Sequence, residues 1–274
     1  MIKPNAGFTL VEMIIVIVIT GIIGGMVAIF LRAPVQGYID SERRAELTDI
    51  ADTAMRRMAR DVRTAVPNSV RFTNCTAPCV EFIPTKDGGR YRAAAGGNGN
   101  LLVFGAGGTT VFDIVGTAIP ITAGTDFIVI GSTQSNGAPP YDQTAAGVLR
   151  SVTAMAIGNT RVTFAGPVLP AWAELPSQRF DVVDGTQQAV TYACEGVGID
   201  ANGTGTGQLA RYWGYGFAAA PGVNRAILAD RVSACAIDYG VTNQRFGLLG
   251  LRLTLSSGGE NVTLYNEIHV NNAP

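Results

Sequence analysis

The chain has 274 residues, with 20 Lys and Arg against 21 Asp and Glu, so its formal net charge is −1. This balance argues against a non-specific nucleic-acid binder, which needs a basic face to neutralise phosphates, and no nucleic-acid partner is expected. Hydrophobic residues make up 47% of the chain, which excludes a wholly disordered protein. A catalytic triad or a multi-histidine metal site would have to use the single histidine, His269. We therefore predict no enzyme activity, no cofactor and no metal.

A nearly unbroken apolar run extends from Met13 to Leu31. At ~1.5 Å per residue it forms a helix of ~28 Å, about the thickness of a bilayer core. A secretory signal peptide would carry a small-residue cleavage site after this run, and none is convincing here. The small residue Gly7 comes before the run instead. A plain membrane anchor and an uncleaved signal peptide are the simplest interpretations of the run alone.

A short motif opens the apolar segment, and it reads Gly7-Phe8-Thr9-Leu10-Val11-Glu12. Followed by an apolar helix, this motif resembles the signature of the type IV pilin and pseudopilin superfamily. The resemblance implies that a prepilin peptidase cuts between Gly7 and Phe8 on the cytoplasmic side. It also implies that the new amino group of Phe8 is N-methylated. The leader would then be residues 1–7, with a positive charge on Lys3.

Glu12 has a physical interpretation of its own. A carboxylate beside a membrane helix costs ~2.5–3.5 kcal/mol on insertion scales, so it needs a partner. After cleavage, the amine of Phe8 on a neighbouring subunit can supply one, which gives Glu12 a role in assembly. The alternative is a glutamate that sits at the headgroup boundary, five residues into the mature chain.

The apolar run departs from many pilins in one respect. Those pilins carry a helix-kinking proline here, whereas this chain has Gly21, Gly24 and Gly25, and Pro34 follows only after the run. Each glycine weakens a helix by up to ~1 kcal/mol relative to alanine, and glycines also allow close helix approach. We expect flexibility near Gly24 rather than a proline kink there.

An amphipathic helix is predicted over residues 34–66. Its apolar residues recur at steps of three and four, and they are Leu47, Ile50, Ala54, Met58, Val62 and Val66. Acidic and basic residues alternate on the other faces, and Asp52 with Arg56 forms a favourable i,i+4 pair. A solvated, salt-bridged face is therefore favoured over a nucleic-acid face. Pro67 is expected to stop the helix.

Short strand-like runs dominate the remainder of the chain, separated by Gly, Asn and Pro. They are Val80–Pro84, Leu101–Phe104, Val111–Val115, Phe127–Ile130, Val148–Met155, Arg161–Phe164, Phe180–Val183, Ala189–Cys194, Leu209–Trp213, Val232–Tyr239, Leu248–Leu255 and Val262–Val270. The stretches 93–100, 131–143 and 198–207 are loops by composition. The last two runs are expected to pair across a turn at 256–260.

These patterns predict an α+β fold in which a long N-terminal helix packs on an antiparallel sheet, as the pilin resemblance also implies. Four parts follow along the chain. They are a leader at residues 1–7, a transmembrane and assembly helix at 8–33, an amphipathic helix of the head at 34–66, and a β-rich head at 67–274.

The head is large for a major pilin, which indicates a minor subunit. Four short segments resemble the J-type minor pseudopilins, namely Val190–Cys194, Leu209–Tyr212, Leu228–Val232 and Leu251–Leu255. Five others are more similar to the O components of the mannose-sensitive haemagglutinin (MSHA) pilus, namely Arg43–Leu47, Arg57–Asp61, Asp87–Tyr91, Asp230–Cys235 and Ile268–Pro274. This resemblance implies a minor pilin-like subunit in the biogenesis of an MSHA-type pilus.

The same resemblance implies partners and a location. The expected partners are the prepilin peptidase, other major and minor pilin subunits, the inner-membrane assembly platform and the lipid bilayer. The expected location is a single pass through the inner membrane with the head in the periplasm, and the pilus or cell surface after assembly. Two alternatives stay open: a J-type pseudopilin of type II secretion, and an adhesin carried on the fibre. In the adhesin, four aromatic residues could stack on sugars, namely Trp172, Trp213, Tyr212 and Tyr215.

The four cysteines of a head outside the cytoplasm lie in an oxidising space. Three pairings are possible. A local Cys75–Cys79 pair leaves Cys194–Cys235, whose bridge closes a loop of roughly forty residues and contributes roughly 3–4.5 kcal/mol in the chain-entropy model. The rival is a four-cysteine zinc site, which lacks the usual two pairs of closely spaced cysteines.

Three further motifs are weak. The stretch Asp200-Ala-Asn202-Gly-Thr204 resembles the opening of a calcium loop, but Arg211 stands where the bidentate acid is needed, so a plain turn is favoured. His269 belongs to an alternating strand and is expected to be exposed. The glycine-rich stretches 96–99 and 105–108 lack the Lys-Ser/Thr of a phosphate loop.

Overall fold

The computed structural model describes residues 9–72, 75, 78–95, 99–133, 139–156, 158, 160–222, 224–239 and 247–270. Within them, one α-helix, α1 (Leu10–Arg63), precedes twelve strands and two short 3₁₀ turns, Pro139–Tyr141 and Ala171–Ala173. The strands are β1 Cys79–Phe82, β2 Thr85–Tyr91, β3 Val111–Val115, β4 Phe127–Val129, β5 Leu149–Met155, β6 Arg161–Phe164, β7 Arg179–Val183, β8 Val190–Glu195, β9 Gly207–Trp213, β10 Arg225–Asp238, β11 Leu248–Ser257 and β12 Glu260–His269.

The strands form two antiparallel structures. One is a six-stranded sheet in the order β1-β8-β9-β10-β11-β12, and the other is a closed barrel in the order β2-β3-β6-β5-β4-β7. Every strand of the barrel lies between β1 and β8 in the chain, although β1 and β8 are neighbours in the sheet. The predicted α+β class with a long N-terminal helix is confirmed, whereas the closed barrel was not predicted.

The chain divides into two compact units, residues 1–46 and residues 47–274. In the second unit, the last turns of α1 bury an apolar stripe that begins at Leu47 and includes Ala51, Ala54, Met58 and Val62. This stripe belongs to the same core as the buried side chains of the sheet. The amphipathic pattern therefore identified the correct face of the helix.

The helix ends at Arg63, three residues before the predicted end at Val66. The backbone N–H groups of Thr64 and Ala65 donate to carbonyls three residues back, which tightens the last turn. The N–H of Val66 then donates to Ile83 O, 2.8 Å away, so this residue has already left the helix for the barrel side of the head. Val66 is buried there, as its apolar pattern indicated, but in a different core.

The barrel has a core of its own, filled by apolar side chains such as Phe112, Phe180 and Val182. Its first strand, β2, was missed because Asp87, Gly88 and Gly89 are turn-forming residues. Gly89 is required by packing, since an added Cβ would collide with the Ile119 side chain. Pairing with β7 and β3 holds this segment extended despite its low strand propensity.

One predicted strand is wrong. Residues Leu101–Phe104 form no strand, although Leu102 is buried in the barrel core. Much of their backbone pairing is local: Thr109 Oγ1 accepts from Val103 N at 3.0 Å and donates to Leu101 O at 2.8 Å. A threonine side chain thus takes the place of a strand partner.

The C-terminal hairpin matches its prediction. Leu249, Leu251, Leu253 and Leu255 are fully buried, and Leu255 pairs with Val262 across the turn. The turn itself needs glycine, because Gly258 and Gly259 have φ values of 59° and 90°. The β10 strand begins seven residues before the predicted Val232, because two register shifts between Ile227 and Val232 break its alternation.

Candidate functional site

The apolar part of α1 presents its side chains outward. Every large apolar side chain from Leu10 to Leu31 is exposed, and Phe30 is 79% exposed. By length and composition this helix can cross a membrane. Such a surface is stable only against lipid or against other apolar helices. The first unit of the chain is therefore suited to a membrane or to a helical bundle.

The processing residues Gly7 and Phe8 lie outside the described residues, so cleavage and methylation there remain predictions. The described chain starts at Thr9, whose Oγ1 accepts from the backbone N–H of Glu12 at 3.3 Å. A threonine before the first helical residue with a glutamate three residues later has the spacing of a capping box. Sequence reasoning missed this cap, although the Thr-x-x-Glu spacing was its signal. Thr9 thus caps the helix turn that carries Glu12.

The helix is continuous through Gly21, Gly24, Gly25 and Pro34. The flexibility expected near Gly24 does not appear as a break in the helix. Within the described residues, no heavy atom of another element lies within 4 Å of a Cβ built at Gly21, Gly24 or Gly25. The glycines therefore leave room on the helix surface for the close approach of another helix.

Where α1 reaches the head, Asp61 connects it to two strands of the sheet. Asp61 Oδ2 accepts from Tyr192 OH on β8 at 2.7 Å and from Arg211 Nε on β9 at 3.0 Å. Arg211 also donates to Gln187 Oε1 at 2.8 Å. Burial, and then the hydrogen bond to Asp61, raise the pKa of Tyr192, so its hydroxyl stays a donor. One carboxylate on the helix thus organises this junction.

A second polar cluster lies where the sheet adjoins the barrel. Glu81 on β1 is fully buried and forms an ion pair with Arg71. Its other oxygen accepts from Tyr215 OH at 3.0 Å. The guanidinium of Arg71 lies 3.5 Å from the ring centroid of Tyr141, whose OH donates to Ser69 O at 2.7 Å. Every group in this cluster has a protein partner, as a structural role requires.

Both disulfides are present, Cys75–Cys79 and Cys194–Cys235. The first joins the segment before β1 to the first residue of that strand. The second joins β8 to β10, which lie on either side of β9 in the sheet. All four cysteines are used in these bonds, so the alternative of a four-cysteine zinc site is wrong.

The aromatic residues considered for sugar stacking do not form one platform. The hydroxyl of Tyr215 donates a hydrogen bond to Glu81, and Trp213 packs against the core shared by helix and sheet. The hydroxyl of Tyr212 bonds Glu195 and Arg225. Trp172 is 37% exposed, and it lies on the second 3₁₀ turn rather than on the sheet.

The weaker motifs have structural explanations. Asp200 Oδ1 accepts from the backbone N–H groups of Asn202 and Thr204, at 2.9 and 2.8 Å, which forms a self-contained turn. His269 is the exposed last residue of β12. Asp52 and Arg56 form the expected i,i+4 pair at 2.7 Å.

Comparison with known proteins identifies a family whose model matches the start of the chain. Residues 2–28 match the family described as the prokaryotic N-terminal methylation motif. Neither the curated proteins nor the solved structures gave a significant match. The matched motif supports a type IV pilin-like subunit that is processed by prepilin peptidase and assembles with other pilins, a structural subunit rather than an enzyme. Together with the apolar helix, it fits a membrane-anchored pilin.

Proposed function

We propose that this chain is a minor pilin-like subunit that takes part in the assembly of an MSHA-type pilus. The observation that carries the proposal is the methylation motif at the start of a membrane-length helix. That helix continues to a head whose sheet packs on its last turns. Residues 1–7 act as the leader, 8–33 as the membrane and assembly segment, 34–66 as the helical part of the head and 67–274 as its β-rich part.

In this function Phe8 becomes the methylated N-terminus and Glu12 pairs with the Phe8 amine of a neighbouring subunit. The capped first turn supports this role because Thr9 holds the Glu12 backbone in helical geometry. Before assembly the chain is anchored in the inner membrane with its head in the periplasm. The assembly platform then inserts it into the pilus. A buried charge without a partner is costly among apolar helices, so the pairing favours correct assembly.

The test combines deletion with intact mass. A deletion strain should lose MSHA-type fibres, and the native chain should restore them. The assembled protein should have the mass of residues 8–274 with one N-methyl group and two disulfides. Retention of Met1 in assembled protein would contradict the processing. Normal fibres with lost type II secretion would favour the J-type pseudopilin instead.

A second candidate function is a binding module carried on the fibre. The observation that favours it is the closed barrel between β1 and β8, because these two strands are neighbours in the sheet while the whole barrel lies between them in the chain. A barrel inserted at this point can be displayed by the sheet and can vary independently of it. Fibres that form but fail to attach, in a strain lacking only the barrel, would support this function.

A further inference from the structure

A polar cleft of about 380 Å³ lies beside the barrel at the end of α1. Its walls come from Arg63 at the end of the helix, from β2 and from β7. The charged side chains on these walls are Arg63, Lys86, Asp87, Arg179 and Asp181. The aromatic residues considered above for sugars lie elsewhere. Any ligand of this cleft must therefore be recognised through charge and hydrogen bonds.

Two strands bring like charges together at one end of this cleft. Arg90 on β2 is directly opposite Arg179 on β7, and both are exposed. Like charges at paired positions of neighbouring strands destabilise a sheet. Neither arginine forms an ion pair with any residue that the structure describes. The fold therefore tolerates two adjacent positive charges at this place, and the carboxylate of Asp181 is the negative charge that interacts with Arg179.

Lys86 differs from these two arginines because its ammonium group already forms an ion pair within the protein. Its Nζ donates to Asp126 Oδ2 at 2.7 Å, and Asp126 is 1% exposed. The same carboxylate oxygen accepts from the backbone of Thr122. Of the cations on the cleft walls, Arg63 and Arg179 are thus the two without an ion pair in the described chain.

Asp181 supplies an unused acceptor on the same walls. It is half-buried, and its carboxylate accepts no hydrogen bond from any described residue. Its partner on β2 is Gly88, where an added Cβ would lie 3.5 Å from Asp181 Oδ1 and 3.2 Å from Phe180 O. The missing side chain at Gly88 leaves the carboxylate accessible from the cleft. Desolvation raises the pKa of Asp181 to about 6 although Arg179 opposes it, as expected for a carboxylate without a close partner.

We propose that this cleft binds a carboxylate-bearing sugar of an acidic glycan. The proposal rests on the second candidate function, in which the head is a binding module. Arg63 and Arg179 bind the sugar carboxylate, because a guanidinium matches its geometry. Asp181 and Asp87 accept hydrogen bonds from sugar hydroxyls. A polyphosphate offers acceptors but few donors, so these two carboxylates would repel it, whereas a uronic acid carries both kinds of group.

The experiment uses the full chain in detergent micelles and isothermal titration calorimetry at pH 7. The probe is trigalacturonate, and galactotriose is the neutral control. Trigalacturonate should bind saturably and galactotriose should not. Arg179→Gln should weaken binding at least tenfold. The matched control is Arg252→Gln, an exposed arginine on β11 outside the cleft, which should leave binding unchanged.

A second measurement separates lost binding from lost folding. Arg179→Gln should leave the Tm nearly unchanged, because relief of the repulsion from Arg90 offsets loss of the attraction to Asp181. Absence of trigalacturonate binding, or equal weakening by Arg252→Gln, would overturn the proposal. Equal competition by a poly-glutamate peptide would overturn it too, because the cleft would then accept any polyanion, including an acidic protein. Fibre formation by the Arg179→Gln strain reports separately on the assembly function.

Discussion

Phe82 on β1 lies directly opposite Val190 on β8, although residues 83–189 separate them in the chain. The two strands pair over four residues, from Cys79 with Ala193 to Phe82 with Val190. The entire barrel thus leaves the sheet and returns to it between two paired positions. In physical terms β1 and β8 are the two arms of a hairpin whose connection has become a folded barrel.

This relationship predicts that the barrel can be removed. Replacing residues 84–188 by Asn-Gly would leave a two-residue hairpin connection between β1 and β8. The shortened protein should keep the sheet, the Cys194–Cys235 bond and the protection of α1 from Leu47 to Val62. Hydrogen exchange and non-reducing peptide mapping measure this, with the native chain as control. Rapid exchange throughout β8 and β9 would show that the sheet depends on the barrel.

Asp61 is predicted to be the critical polar contact between the helix and the sheet. Asp61→Asn should lower the free energy of unfolding by about 2–3 kcal/mol, because Arg211, only 10% exposed, would lose its carboxylate. The control is Asp52→Asn, whose pair with Arg56 is exposed, so this variant should change the free energy of unfolding far less. Denaturant unfolding of the full chain in detergent measures both. Equal effects of the two variants would contradict the prediction.

The Cys194–Cys235 disulfide should dominate the covalent stabilisation of the head. It closes a loop with a sequence separation of 41, so replacing both cysteines by alanine should cost roughly 4 kcal/mol in the chain-entropy model. The same replacement at Cys75 and Cys79, with a separation of 4, should cost roughly 2 kcal/mol. Thermal unfolding of the two variants shows which disulfide stabilises the head more. A larger loss from the short bridge would refute it.

The raised pKa of Asp181 predicts that the protein becomes less stable as pH rises through a mildly acidic range. Burial raises its pKa in the folded state to about 6, above the unfolded value of 3.8. Between these two values the folded state holds more protons, so the free energy of unfolding falls as pH rises from about 4 to 6. Asp181→Asn should remove this fall and raise stability at pH 7, by on the order of 2 kcal/mol.

The comparison residue for that experiment is Asp113, whose pKa is lowered by the hydrogen bond from Arg161. The contribution of Asp113 to stability has the opposite sign. It is complete above the pKa of the unfolded state, and it is lost as pH falls through the lower pKa of the folded state. Asp113→Asn should therefore lower stability at pH 7. Urea unfolding at pH 4 to 8 measures both variants. A flat profile for the native chain between pH 4 and 6 would count against the role of Asp181.

Glu12 is predicted to act in recruitment to the fibre rather than in processing. The Thr9 cap uses the backbone N–H of Glu12, so Glu12→Gln removes the charge while retaining the helix start. Cleavage and membrane insertion should be largely unchanged, and recovery of other minor subunits by co-purification should fall. Because a subunit at the extreme tip has none above it to engage, this result would support a place below another subunit. Equal recovery with both proteins would leave Glu12 as an interfacial residue only.

The elements that were predictable from sequence depend on local patterns. The apolar stripe from Leu47 to Val62 repeats with the helical period, and the leucines of β11 alternate with the strand period. Both patterns record which side of an element is buried, and that information is local. The membrane-length run and the methylation motif are local in the same sense.

The errors arose where a partner outside the segment decides its structure, in one case a distant pair of strands and in the other a nearby threonine side chain. β2 is a strand because β7 and β3 hold Gly88 and Gly89 extended, and Leu101–Phe104 is not a strand because Thr109 takes its hydrogen bonds. In both cases the intrinsic preference was opposite to the structure observed. Neither partner could be identified from the periodicity of the segment itself.

The sequence alone therefore determined the membrane-length helix and its methylation motif, because both are continuous in the chain. Only the tertiary structure decided that Arg90 and Arg179 face each other, that Asp61 meets Arg211, and that a barrel separates two paired strands. These relationships join residues that are many positions apart. They are set by strand register and by packing, and neither can be predicted from the pattern of hydrophobic residues along the chain.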